Sequence, residues 1–366
     1  MLERFKVPPE EQVRIAHDSL HETVTALFEK VGVSHEDAVE GADTLVMTDL
    51  RGVETHGVSN MLRVYIEQYT KGNLNPRPSI RVVREAPGTA TVDADNGLVT
   101  ILGPRIMRMA MDKASKVGIG VVSVFNSGHS GAIGHHAKIA TTRDMVGVVY
   151  TAAGALAVPP FGAEVRLGTN PIAIAAPARN EPPLLFDAAT TAVAGNKLSL
   201  ARRLGSPIAP GWIADLDGTV TTEETEPRER GEYLQTHLGG TREQGSHKGF
   251  GFALMAEVLA TMLAGALPDM LTEEVPHGNR HCFAAYDIAS FTDVDVFKDN
   301  MDKMLSKLKD TPPSPGHDRV IYPGISEYEE ELDRRANGIP LHTEVIEWFE
   351  SICAELSAPR LRRAGA

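Results

Sequence analysis

Two histidines stand where an imidazole could exchange a proton. The first, His56, lies in DLRGVETHGVSNMLRVY (49–65), at a short break between two runs of helical spacing, one over 36–50 and one continuing to about residue 69. Gly52 and Gly57 bracket the break, and Thr55 has the side chain of an N-cap, whose oxygen takes up free backbone N–H groups. A histidine in the first turn of a helix faces the positive end of the helix dipole, which disfavours imidazolium. A neutral imidazole near pH 7 can accept or return a proton. The same pattern also suits a buried or loop histidine with no chemistry.

The second, His129, lies in NSGHSGAIGHHAKIA (126–140), directly after a strand-like run. Gly128, Gly131 and Gly134 fall three apart, which is not the GxGxxG of a Rossmann dinucleotide site. The next strand ends in TAA, where that site needs an acid, so a standard Rossmann domain is excluded. Small residues at a helix start still let backbone N–H groups approach a phosphate or carboxylate. His136 follows His129 by two helical turns, but no local carboxylate completes a metal set. No metal is therefore expected, and His135 and His136 read as solvent-facing.

Two further stretches could hold an anion or a ligand. In GSHKGFGFALMAEVLA (245–260), Lys248 sits between His247 and Gly249 just before a long apolar helix, an anion site or simply a solvated lysine. In LGTNPIAIAAP (167–177) and LLFDAATT (184–191), Asn170 opens a turn before Pro171, and Asp187 lies near a strand end. Strand ends are where α/β sheets keep their ligands, although an aspartate there can equally cap a turn.

The elements that must carry these groups follow from periodicity and breakers. Residues 10–72 read as helical and 71–80 as a breaker; 79–92 and 93–104 read as β-like, and 105–116 as a helix ending at Gly118. A strand (117–126), a helix (132–143) and a strand (145–153) form a strand–helix–strand unit. Strands follow at 170–177, 183–191 and 281–291, with helices at 250–267, 293–309, 327–337 and 343–356; 225–245 is polar and reads as an exposed connection. The fold class expected is α/β, a non-Rossmann mixed sheet with flanking helices, plus helical N- and C-terminal sections. The sections divide as 1–75, 76–328 and 329–366, the last packing back on the first.

Composition limits the partners. Apolar content of 42% and charged content of 23% over 366 residues are those of a globular protein. A formal net charge of −13 argues against nucleic acid or an anionic membrane. Cys282 and Cys353 are the only cysteines, too few for a disulfide framework, and the N-terminal residues lack an apolar signal core. The apolar run at 249–267 carries Glu257 and several glycines and reads as a buried helix, so a cytoplasmic protein is expected.

Eight short motifs then occur in order: THGV (55–58), NSGHSGAIGHHA (126–137), LGTNP (167–171), FDAATT (186–191), GW (211–212), HKG (247–249), YPG (322–324) and GIPL (338–341). Together they resemble the malate/L-lactate dehydrogenase family of the non-Rossmann type, which includes ureidoglycolate, sulfolactate and diketogulonate enzymes and cyclic-imine reductases. The resemblance implies interconversion of a small 2-hydroxy acid and 2-oxo acid with NAD or NADP, on a homodimer. It makes 76–328 the cofactor- and substrate-binding body. It implies that His56 is the proton donor, with Thr55 where a serine is usual, and that His129 is a second acid–base or cofactor-facing histidine. Ser130, Gly131, Ala132 and Ile133 would lie along the cofactor, as would Asp187, Ala188, Ala189, His247, Lys248 and Gly249, with Pro323 and Gly324 fainter contacts. Thr169 and Asn170 join the candidate substrate set.

Two positions depart from the family pattern. The carboxylate-binding arginine, four residues after the histidine, is here Asn60; Arg63 lies one helical turn beyond, and we take it as the replacement. Where some imine-reducing members have an aspartate, this chain has Lys197. Two rivals remain at this level: a non-catalytic nucleotide-binding relative, suggested by Asn60, and a metal-dependent hydrolase built on His129 and His136.

Overall fold

The computed structural model describes residues 6–272 and 278–365. The first section opens with strand β1 (Gln12–Ile15) and helices α1 (His17–Lys30) and α2 (His35–Leu50). Ser34 caps α2, its hydroxyl accepting the Asp37 N–H at 3.3 Å. After the His56 loop the chain makes one wide π turn (Val58–Leu62) before α3 (Arg63–Thr70). Their apolar stripes build the largest core, with Leu20, Leu27, Phe28, Leu45 and Leu62 fully buried.

The body begins with β2 (Arg81–Ala86) and β3 (Thr89–Gly97). Helix α4 (Val99–Val117) starts six residues before the expected 105, inside a stretch read as β-like. Val99, Thr100 and Ile101 favour strands and Pro104 reads as a stop, but burial of this end against the core overrides local preference. Then come β4 (Ile119–Ser127), α5 (Ile133–Ile139), β5 (Met145–Ala152), β6 (Ile172–Ala176), β7 (Leu184–Ala188) and α6 (Gly195–Arg203). A small ribbon, β8 (Ile213–Ala214) with β9 (Leu234–Gln235), leads to α7 (Ser246–Glu257). Gln235, Thr236 and His237 are buried, so 225–245 is not wholly the exposed connection expected. Strand β10 (Asn279–Asp287) and helix α8 (Val294–Lys309) close the body.

Among the described residues the main sheet has seven strands, in the order β2-β3-β4-β10-β5-β6-β7. β3 and β4 pair in parallel, while β10 lies between β4 and β5 and runs antiparallel to both. The fold is therefore mixed α/β and not doubly wound. On one face α4 and α5 pack so closely that a Cβ on Gly147 of β5 would sit 2.1 Å from the Ala137 carbonyl oxygen of α5. On the other face, Val146, Val148 and Tyr150 alternate outward into an open apolar groove. Finally α9 (Ile325–Asn337), β11 (Ile339–His342) and α10 (Thr343–Leu356) return to the first section, where β11 pairs antiparallel with β1.

Candidate active site

Beside the strand ends of β5 and β7 lies a cleft of about 1260 Å³, and both acid–base candidates open into it. The rings of His56 and His129 lie parallel, 11° apart in plane and 5.7 Å apart between centroids.

His56 is held by contacts around its loop. The Asp49 carboxyl group accepts the Val58 N–H at 2.6 Å, tying the end of α2 to the start of the π turn. Gly57 makes this possible, since a Cβ there would stand 2.3 Å from the same carboxyl group. Asn60 donates to the Glu54 carbonyl at 2.6 Å, and Asn196 of α6 donates to the Thr55 carbonyl at 2.7 Å. Glu54 is buried against Arg334 of α9 at 2.6 Å. Thr55 is not the expected N-cap: its hydroxyl lies 3.0 Å from His56 Nδ1.

The backbone under His129 is held at three successive carbonyls. The Gly128 oxygen faces His281 Nε2 at 3.3 Å, and the Ser130 oxygen faces His136 Nε2 at 2.9 Å. Between them the His129 oxygen accepts the Thr100 N–H at 3.0 Å. Thus His136 is fully buried under Gly103 rather than solvent-facing, and His135 is half-buried. The pattern misleads here because two adjacent helix positions point to different faces. On the ring side, Tyr65 Oη lies 2.6 Å from His129 Nδ1.

Surrounding protein strips water from both imidazoles and disfavours their charged forms. His56 is pushed down to about 4 and His129 to about 3, the second lowered further by His56 and His281. Both are neutral at pH 7. The cause is desolvation, not the helix dipole invoked from the sequence.

Among the other sequence candidates, Gly131, Ala132, Ile133, Thr169, Asp187, Ala188, Ala189, Pro323 and Gly324 line the cleft with Thr55. Asp187 accepts the Gly134 N–H at 2.6 Å, fixing α5 against β7. Ser130 is buried and does not line the cleft; its carbonyl faces His136 Nε2 and its hydroxyl lies 3.4 Å from that of Thr151. Asn170 is also buried: it takes the Ala153 N–H at 3.0 Å and donates to Glu257 at 3.0 Å, which makes it a clamp on the cleft wall and not a substrate contact. His247 and Lys248 are exposed and do not line the cleft; Gly249 packs on Leu238, a cleft residue. Arg63 is a correction. It is exposed, bonds Glu67 at 3.1 Å, and does not line the cleft. The inference assumed α-helical spacing between Asn60 and Arg63, but the π turn between them is wider and breaks the shared face.

The cations that do line the cleft are Arg51, Lys138, Lys197 and Arg230. Arg51 and Lys138 share Glu331, at 3.0 Å and 3.7 Å. The sequence reading missed Tyr65, Thr100, Asn196 and His281, all of which act on the two histidines from distant segments. Tyr65 alone carried a local signal, lying within the His56 stretch. Small residues, among them Ala153, Gly154, Ala155, Ala192 and Ala194, form much of the lining. Space for flat rings beside rim cations fits an elongated ligand carrying phosphates, such as a dinucleotide. Among the described residues no three His, Cys, Asp or Glu side chains are grouped to hold a metal.

A family model described as malate/L-lactate dehydrogenase matches residues 15–350. Malate dehydrogenase from Pyrococcus horikoshii is 37% identical over 356 residues, covering 96% of this chain and 98% of the relative. L-sulfolactate dehydrogenase from Methanocaldococcus jannaschii is 32% identical over 335 residues, covering 90% and 93%. The solved structure of malate dehydrogenase from Pyrococcus horikoshii OT3 superposes with a TM-score of 0.88 at 34% identity, covering 96% of this chain and 98% of that one.

Proposed function

The chain belongs to the malate/L-lactate dehydrogenase family, and from that premise we propose that it interconverts a small 2-hydroxy acid and its 2-oxo acid with NAD or NADP. The observation that carries this reading is the pair of neutral imidazoles facing one another in the cleft, 5.7 Å apart. When bound, the nicotinamide cofactor supplies the hydride acceptor or donor. The residues that would hold it are Gly131 to Ile133, Asp187 to Ala189, and Pro323 with Gly324, all of which line the cleft.

The chain's own groups do the rest. Proton exchange at the C2 oxygen is the work of a cleft histidine, and one positioned acid–base group contributes roughly 10²–10⁴-fold in rate. The substrate carboxylate is held by one of the cations that line the cleft, Arg51, Lys138, Lys197 or Arg230. The reading includes a homodimer. Its support is the apolar groove of about 690 Å³ on the open sheet face, where Phe252 is 50% and Phe291 64% exposed.

The test is a screen of NADH and NADPH oxidation over pyruvate, oxaloacetate and their sulfo- and ureido-substituted analogues. At least one 2-oxo acid should turn over, and its neutral amide should be a poor substrate. Nucleotide binding without turnover of any acid would leave the non-catalytic relative as the better account. The metal-hydrolase rival draws no support, since His136 is buried and committed to a backbone carbonyl.

A further inference from the structure

His129 and His56 are not equivalent, because their Nδ1 atoms meet different partners. His129 Nδ1 faces the Gly131 backbone N–H at 3.1 Å and the Tyr65 hydroxyl at 2.6 Å. A backbone N–H can only donate. Nδ1 must therefore present its lone pair, and a neutral imidazole with a bare Nδ1 carries its proton on Nε2. Tyr65 is oriented to agree. With Nδ1 bare, the phenol 2.6 Å away is the donor of that pair, whichever of Tyr65 Oη (3.0 Å) and the His129 carbonyl oxygen (3.1 Å) the Thr100 hydroxyl bonds. The phenol's own proton then points at His129. A second proton on the ring would place an Nδ1–H against the Gly131 N–H.

His56 has no such constraint. Its Nδ1 faces the Thr55 hydroxyl at 3.0 Å, a group that donates or accepts with equal ease. With Nδ1–H given to Thr55, Nε2 is bare and can accept a proton.

We propose that Tyr65 and Gly131 hold His129 as its Nε2–H tautomer, so that His129 serves as a hydrogen-bond donor to the substrate oxygen and His56 exchanges the proton. This assignment rests on the dehydrogenase reading above. In oxidation the C2 hydroxyl proton passes to His56 Nε2, making it the imidazolium. The O–H bonding pair becomes the second bond of C=O, and the C2 hydrogen leaves with its own bonding pair to the oxidised cofactor. His129 Nε2–H donates to the oxygen throughout and breaks no bond. Reduction reverses each transfer. Tyr65 is a positioning residue in this scheme, since it reaches the reaction only through His129.

The tautomer can be read without any turnover, by ¹⁵N NMR of the ligand-free protein labelled at histidine. In the wild type, His129 should show an unprotonated Nδ1 and a protonated Nε2 across neutral pH, and Tyr65→Phe should admit a population with Nδ1 protonated. The titratable groups facing His129 are His56, Tyr65 and, behind the strand, His281, so the assignment is made against His56→Ala and His281→Asn spectra. Kinetics then separate the two roles. His129→Ala removes a donor and should lose about 10²–10³-fold in kcat, and His129→Gln, which restores an N–H, should recover most of it. His56→Ala should lose about 10²–10⁴-fold, with no recovery in His56→Gln, whose amide exchanges no proton. A wild-type His129 protonated on Nδ1, or rescue by glutamine at 56 and not at 129, overturns the assignment. A wild type that turns over no 2-oxo acid defeats the dehydrogenase reading instead, and leaves the tautomer measurement standing on its own.

Discussion

Asp49 carries the His56 loop on a carboxyl group that is fully buried, with one oxygen bonded to the Val58 N–H and the other without a hydrogen-bond partner. Burial pushes it up from 3.8 to about 8; the Val58 hydrogen bond opposes this and nearby Glu54 adds to it. The sign for stability follows. Between pH 4 and 8 the folded protein keeps a proton that the unfolded chain has lost, so the contribution is full at low pH and falls as pH rises through the folded value. Asp49→Asn keeps an acceptor for Val58 and removes the titration. Its thermal midpoint should therefore fall less than that of the wild type on going from mildly acidic to mildly alkaline buffer. Parallel curves for the two proteins would show that Asp49 is already ionised in the fold. At this scale the sequence was informative about types and poor about partners. His56 and His129 stood out by their glycine-rich surroundings, whereas Thr100 has an ordinary local context, and it and Tyr65 matter because the fold places them against the His129 carbonyl and Nδ1.

At the scale of elements, the loop bearing His56 is held from outside by α9, a helix near the other end of the chain. Arg334 bonds Glu54 at 2.6 Å and the Asp49 carbonyl at 2.7 Å, and Arg51 reaches Glu331 of the same helix at 3.0 Å. Arg334 and Glu54 are only 4% and 8% exposed at their side chains. Arg334→Ala leaves Glu54 buried without its partner, which costs about 3–5 kcal/mol in comparable cases. Denaturant unfolding should show a loss of that order, with kcat reduced as the His56 loop loosens. Arg334→Met with Glu54→Gln should recover much of the stability, because it removes the uncompensated charge as well. If the single variant is as stable as the wild type, α9 is not the support assigned to it. In the sequence 327–337 reads as a helix, and its charged residues fall at i,i+4 spacing. Those pairs exist, but Glu331 and Arg334 are buried, and only a long-range contact could reveal it. The same blindness explains β10. Its apolar run was plain, but its insertion between β4 and β5 leaves no mark on nearby residues. Local geometry failed as well, at the π turn that moved Arg63 off the face assumed for it.

For the whole molecule, the cleft and the apolar groove share a wall. Phe186, Ala188, Ala189 and Leu238 line both, so whatever covers the groove also bears on the site. The groove runs across one face of β5, β6 and β7 to α7, where Phe252 and Met255 are 50% and 39% exposed. A strand face this apolar, opposite one fully covered by helices, is half of a core. The homodimer proposed here supplies the other half by seating a second copy on it. Phe252→Asp introduces a charge at the groove while leaving the protein's own core untouched, since that ring is half exposed. Losing a central aromatic anchor typically costs about 2 kcal/mol or more of association energy, and burying an unpaired carboxylate costs further. Sedimentation should show a dimer for the wild type and a monomer for the variant, with unchanged circular dichroism. Because Leu238 and Phe186 lose their cover on the groove side of the shared wall, the monomer should also bind the cofactor more weakly. A wild-type protein that sediments as a monomer and still turns over its acid at full rate would end the dimer reading. The shared wall would then be a feature of the single chain alone.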